Sequence, residues 1–192
     1  MGERVGIFGG TFDPVHVAHL VAAANVRHLL SLDRVLLVVA NLPWQKGGRQ
    51  LTPAEDRLAV VEAAVEGSEG LEASRLEIDR GGESYTADTL EQLLSERPDR
   101  ELFLVVGADV AAELHTWRRA EAVAELATLV VVTRGGVPRP EIGPPWRVAH
   151  VGIPALEISS SDLRERWAAG RPLDFLVPRP AIDCIRRRGL YA

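Results

Sequence analysis

Val5-Gly6-Ile7-Phe8-Gly9-Gly10-Thr11-Phe12-Asp13-Pro14-Val15-His16-Val17-Ala18-His19-Leu20 sets a short apolar run against a glycine pair, a turn and a helical pattern with two histidines. The order predicts a buried strand, a tight turn and a helix. The first N–H groups of such a helix have no intrahelical partner, and the dipole there is positive, so the turn suits a phosphate chain. Gly9 and Gly10 let backbone approach a phosphate closely, Thr11 adds a hydroxyl, and His16 and His19 share a helix face. Taken alone, the histidine pair reads equally well as two surface side chains on a capping turn. A metal pair would need a third ligand, and none stands at suitable spacing. The stretch is neither the Gly-x-Gly-x-x-Gly of dinucleotide folds nor a Walker A loop, because no Gly-Lys-Ser/Thr follows.

Outward from it the alternation continues. Val35–Ala40, Leu102–Val106 and Leu129–Val132 are continuous β-branched and leucine runs, the pattern of strands covered on both faces. Leu71–Ile78 alternates and reads as another strand, and Val148–Ile153 as an edge strand. Helices are expected over 15–30, over Ala120–Leu126, over Ser160–Ala169, and over Arg179–Arg188, stopped at Gly189. Another runs from a Thr52 cap, with Pro53 first and Glu55 behind it, to about Glu66. A further one starts at a Ser84 or Thr86 cap and ends near Glu96.

Strands alternating with helices predict an α/β fold. It is a Rossmann-like, doubly wound, mostly parallel sheet with helices on both faces and a small C-terminal helical segment. Residues 1–192 are expected to form a single domain, with 1–157 as core and 158–192 as the helical part. Ligands of such sheets bind at the carboxyl ends of the strands. The opening motif, Asn41–Lys46, Gly107-Ala108-Asp109 and Thr133-Arg134 all follow strands and should project to that edge.

Bulk properties exclude other classes. The 192 residues are 46% hydrophobic and 26% charged, as in an ordinary globular enzyme. A net charge of −5 argues against a nucleic-acid footprint spread over the surface. The single cysteine, Cys184, allows no internal disulfide and fits a reducing cytoplasm. No secretory signal is expected at the N-terminus, and no apolar run approaches the ~18 residues of a membrane span.

The pattern Gly-x-x-Phe-Asp-Pro-x-His-x-x-His resembles the nucleotidyltransferase superfamily related to class I aminoacyl-tRNA synthetases. Its second signature, Ile-Ser-Ser-Thr-x-Ile-Arg, is matched by Ile158-Ser159-Ser160-Ser161-Asp162-Leu163-Arg164. Serines at a helix start and an arginine one turn on also make an anion site in their own right. Alone, that segment reads more simply as a serine-capped surface helix. Ser84-Tyr85-Thr86-Ala87-Asp88-Thr89, Gly107-Ala108-Asp109 and Trp117, in that order, narrow the resemblance to the bacterial nicotinate-nucleotide adenylyltransferase family, over residue 4 to about 191.

The resemblance implies transfer of AMP from ATP to nicotinate mononucleotide, with Mg2+ riding mainly on the ATP phosphates. His16, His19 and Lys46 take the catalytic roles. Gly9, Gly10, Thr11, Phe12, Gly107, Asp109, Ser160, Ser161 and Arg164 join the histidines around ATP. Thr11, Lys46, Tyr85, Thr86, Asp109, Trp117 and Arg134 take the mononucleotide. A carboxylate gains from the helix N-terminus at Tyr85–Thr86, where a neutral carboxamide gains much less. Trp117 can stack on the pyridine ring; otherwise it is a core tryptophan. Asp109 otherwise caps a helix, and Lys46 and Arg134 are otherwise solvated cations.

The chain departs from the pattern at Ala18, where glycine is usual, at Gln45, where histidine is usual, and at Ser161, which replaces threonine. Gln45 cannot carry a histidine's charge. Two alternatives stand beside this expectation. One is the same chemistry on nicotinamide mononucleotide or another phosphorylated acceptor. The other is a non-catalytic nucleotide-binding regulator. Assembly is open, with a homodimer among the forms allowed.

Overall fold

The continuous apolar runs lie side by side at the centre of a parallel sheet. In the computed structural model, residues 2–43, 51–135 and 140–192 are described. Strands β1 (Arg4–Gly10), β2 (Arg34–Val39), β3 (Leu71–Ser74), β4 (Glu101–Gly107), β5 (Ala127–Arg134) and β6 (Val148–Ile153) form one sheet in the order β3-β2-β1-β4-β5-β6. Every neighbouring pair is parallel. The order reverses between β1 and β4, which opens a crevice beyond their carboxyl ends. The turn after β1 and the Gly107-Ala108-Asp109 segment after β4 meet there.

Alternate strand residues feed two cores. Val35, Leu37, Phe103, Val105 and Val130 pack on the face covered by α1 (Val17–Leu29), α2 (Ala54–Val65), α7 (Ser160–Ala168) and α8 (Arg179–Arg188). Val5, Ile7, Leu36, Leu104 and Leu129 pack on the opposite face, under α4 (Thr86–Glu96), α5 (Ala108–Ala112) and α6 (Ala120–Leu126). Leu163 of α7 and Ile182 and Ile185 of α8 belong to the first core, so the C-terminal segment is packed into the fold rather than appended to it.

Three expectations are corrected. The strand expected over Leu71–Ile78 ends at Ser74, and α3 (Leu76–Arg80) follows. Glu77 is buried there because it accepts the Thr89 hydroxyl of α4 at 2.6 Å, and Gly81 closes the helix at φ 72°. Helix α2 takes Pro53, not Thr52, as its N-cap. The Thr52 carbonyl accepts Arg57 Nε at 2.8 Å instead. Helix α4 takes Tyr85 as its N-cap, without a side-chain cap. Ser84 Oγ accepts the Asn41 N–H at 2.9 Å and so ties the end of β2 to the start of α4.

The glycine pair also divides its roles. A Cβ on Gly9 would meet nothing within 4 Å, whereas one on Gly10 would lie 2.8 Å from Phe12 Cζ. The Phe12 ring therefore requires Gly10 on packing grounds alone. Gly10→Ala should cost about 1–3 kcal/mol through overpacking. That is a fall in Tm of about 2–4 °C per kcal/mol in a chain of this size, read by thermal melt.

Candidate active site

The turn after β1 carries the chemistry. Phe12 is buried at φ 49°, and Asp13, Pro14 and Val15 are buried behind it. His16, 4% exposed, is the N-cap of α1. Its N–H donates to His19 Nδ1 at 3.3 Å. Because Nδ1 accepts, the neutral His19 ring carries its proton on Nε2 and offers an N–H there. The two imidazoles stack with centroids 3.7 Å apart, and Phe12 packs edge-on to His19 at 5.1 Å. The sequence's shared helix face thus becomes a fixed pair of rings at the positive end of α1.

The second motif arrives from the far end of the chain and locks onto this turn. Ser160 Oγ donates to the Pro14 carbonyl at 2.9 Å. Arg164 Nη1 donates to the Asp13 carbonyl, and its Nη2 to Ser161 Oγ at 3.2 Å. Ser159 caps α7 by accepting the Asp162 N–H at 3.1 Å. Two helix N-termini, α1 and α7, therefore converge with a guanidinium, two imidazoles and serine hydroxyls. Such a donor set suits a polyphosphate.

Opposite lies the start of α4. Ser84 N–H donates to the Leu42 carbonyl at 3.0 Å, and Asn41 Nδ2 to the Gly82 carbonyl at 2.9 Å. Arg118 lies over the Tyr85 ring at 4.5 Å. Trp117 packs beside the second core, and among the described residues its buried Nε1 has no hydrogen-bond partner. Asp109, in the first turn of α5, folds back over Gly107, where a Cβ would lie 2.5 Å from Asp109 Oδ1.

The cytidylyltransferase-like family matches residues 7–166. A Corynebacterium kroppenstedtii protein that carries the name probable nicotinate-nucleotide adenylyltransferase is 47% identical over 191 residues, spanning 98% of this chain and 90% of its own. A Streptomyces coelicolor protein of the same name is 46% identical over 185 residues, spanning 95% and 98%. The chain belongs to the nicotinate-nucleotide adenylyltransferase family. It is a nucleotidyltransferase. In fold it is similar to a Plasmodium falciparum nicotinic acid mononucleotide adenylyltransferase complexed with NaAD, with a TM-score of 0.79 at 20% identity over 98% and 97% of the two chains.

Within this family member the structure gathers Gly9, Gly10, Thr11, Phe12, His16, His19, Ser160, Ser161 and Arg164 around one turn. Gly107 and Asp109 stand at the neighbouring strand end. Tyr85 and Thr86 stand at the start of α4, and Trp117 directly follows the 3-10 turn Leu114–Thr116. Lys46 and Gln45 lie outside the described residues, as does the side chain of Arg134 at the end of β5. Ala18 is buried in the first turn of α1. One residue was missed from the sequence. Arg57 of α2 is 1% exposed and reaches the Thr11 carbonyl at 2.8 Å. Its signal was its place: Arg57, Val61 and Ala64 fall on one buried helical stripe, where a charge needs a reason.

Proposed function

We propose that this enzyme moves the adenylyl group of ATP onto nicotinate mononucleotide, giving nicotinate adenine dinucleotide and pyrophosphate. The observation that carries this reading is the closure of two distant motifs on one turn, through Arg164 to the Asp13 carbonyl and Ser160 to the Pro14 carbonyl. That closure makes two adjoining phosphate seats, one at α1 and one at α7.

The attacking group is already an anion, so no nucleophilic side chain is required. A 5′-phosphate oxygen of the mononucleotide bonds to the α-phosphorus of ATP, and the bond to the β-phosphate oxygen breaks in line. Catalysis is then positioning and neutralisation of growing charge. His16 and His19 hold the α-phosphate at the start of α1. Thr11, Ser161 and Arg164 hold the β- and γ-phosphates, which leave as pyrophosphate. Lys46 and Arg134 take the acceptor phosphate, and Asp109 a ribose hydroxyl.

Among the described residues no group of three or more His, Cys, Asp or Glu side chains is placed to hold a metal ion. Asp13, the carboxylate of the turn, is buried, and the remaining side chains gathered there are hydroxyls, imidazoles and a guanidinium rather than carboxylates. That chemistry fits Mg2+ carried on the ATP phosphates, where it supplies charge neutralisation when bound. Among the described residues no helix is long and apolar enough to cross a membrane. We place the reaction in the cytoplasm, which suits the single free cysteine.

Specificity for the acid form is supported by α4, whose first turn has no side-chain cap and whose dipole favours a carboxylate at Tyr85 and Thr86. Pyrophosphate release from ATP is the test, measured side by side with nicotinate and nicotinamide mononucleotides. Faster turnover of the acid is expected; release with neither acceptor would overturn the reading. For Trp117→Ala, loss of stacking worth about 1–3 kcal/mol should raise KM for the mononucleotide roughly 5–150-fold with little change in kcat. Steady-state kinetics with the mononucleotide varied give the answer.

A further inference from the structure

Arg57 lies on the apolar stripe of α2 and is 1% exposed, yet it carries a charge. Its guanidinium makes contacts with three separate chain segments. Nη1 donates to the Thr11 carbonyl at 2.8 Å, Nε to the Thr52 carbonyl at 2.8 Å, and Nη2 to the Asn41 carbonyl at 3.2 Å. Thr11 belongs to the phosphate turn after β1. Asn41 follows β2 and is tied to Ser84, just ahead of α4. Thr52 leads into α2.

The charge is balanced locally. Burial pulls the Arg57 pKa down and the Asp13 carboxylate opposes this, so the group stays charged near neutrality. Asp13 is itself 5% exposed, with Oδ2 3.5 Å from the Thr52 N–H. Burial first, and then the Asp13 charge, push the Tyr191 hydroxyl well above its ordinary value. Arg57 and Asp13 are thus both buried beneath the turn, with the partly buried Tyr191 near them.

Simple packing does not require this arrangement. An apolar side chain of similar volume would fill the space, but it would leave the three carbonyls without these donors. A planar, rigid fork serves several acceptors at once, which a lysine ammonium on a flexible stem does not. Of the three carbonyls, one lies in the turn that receives ATP. Another lies in the segment after β2 that is hydrogen-bonded to Gly82 and Ser84 just ahead of α4, where the proposed reaction seats the mononucleotide.

We propose that Arg57 is a positioning residue for adenylyl transfer: it sets the phosphate turn against the acceptor side of the crevice by holding the Thr11 and Asn41 carbonyls on one guanidinium. It touches neither substrate. Its contribution is the in-line alignment of the two phosphates, and small misplacement there is costly to rate.

The assignment rests on the proposed reaction for its readout. Arg57→Lys and Arg57→Met are compared with the unaltered chain at 15 °C. Folding is checked by circular dichroism, and kcat and both KM values come from pyrophosphate release. Both variants should stay folded at that temperature, with kcat roughly 10–100-fold lower and each KM within about threefold. In a double-mutant cycle with Thr11→Ala, the two losses in kcat should fall well short of additive, because Arg57 acts through the turn that carries Thr11. Normal kcat in a folded variant would overturn the assignment, as would additive losses. Loss of folding in both variants would also overturn it, by making Arg57 a folding residue only. No pyrophosphate release by the unaltered chain would instead overturn the proposed reaction.

Discussion

His19→Ala lowers kcat for adenylyl transfer roughly 10²–10³-fold, the cost of removing one donor aimed at charge that develops in the transition state. The ring is firmly held. Its Nδ1 accepts the His16 N–H, its face stacks on His16, and Phe12 and Phe8 close on it edge-on at 5.1 and 5.9 Å. A ring held so firmly loses little entropy on reaching the transition state. KM for ATP changes less than kcat, because a donor that strengthens only as charge develops contributes little to ground-state binding. Single-turnover adenylyl transfer, with a thermal melt as control, separates chemistry from unfolding. A kcat near that of the unaltered enzyme in a well-folded variant would remove His19 from the reaction.

The second large effect is expected at Arg164. Arg164→Met removes two charge-assisted hydrogen bonds, to the Asp13 carbonyl and to Ser161 Oγ, and a cation where the proposed reaction seats the leaving phosphates. The two internal bonds bear on the stability of the turn, whereas one or two charge-assisted bonds to phosphate oxygens, worth about 1.5–3 kcal/mol each, set the kinetic loss, so kcat/KM for ATP should fall roughly 10–10⁴-fold. Arg164→Lys restores the charge but not the fork, so it should recover only a small part. ATP titrations of both variants decide the matter. Recovery by lysine to within about threefold of the unaltered enzyme would mean that charge alone is needed there.

Much of the fold could be read from local pattern. Ala120–Leu126, Val148–Ile153 and Arg179–Arg188 have the bounds expected of them, because each is framed by turn chemistry or a sharp change of period. Leu71–Ile78 misled for the opposite reason. Its alternation is genuine only to Ser74, where pairing with β2 stops, and Glu77 then turns inward to Thr89. Thr52 and Ser84 look like helix caps in isolation. In the folded chain the Thr52 carbonyl accepts Nε of Arg57, one turn into α2, and Ser84 Oγ accepts the N–H of Asn41, far away in sequence at the end of β2.

The parallel α/β architecture and the two family motifs were legible in the linear chain. Strand and helix periods, glycine turns and serine caps are local properties that a linear chain displays. Tertiary structure alone decided that Gly10 answers to the Phe12 ring, that Arg164 closes the two motifs on the Asp13 carbonyl, and that Arg57 sits buried beneath the turn. Each of these depends on which distant backbone carbonyl or ring comes within hydrogen-bond or van der Waals reach. No periodicity records that, because the pairing exists only after the sheet has brought the strand ends together. The opening stretch therefore announced a tight turn between strand and helix, and the fold supplied the groups that hold it in place.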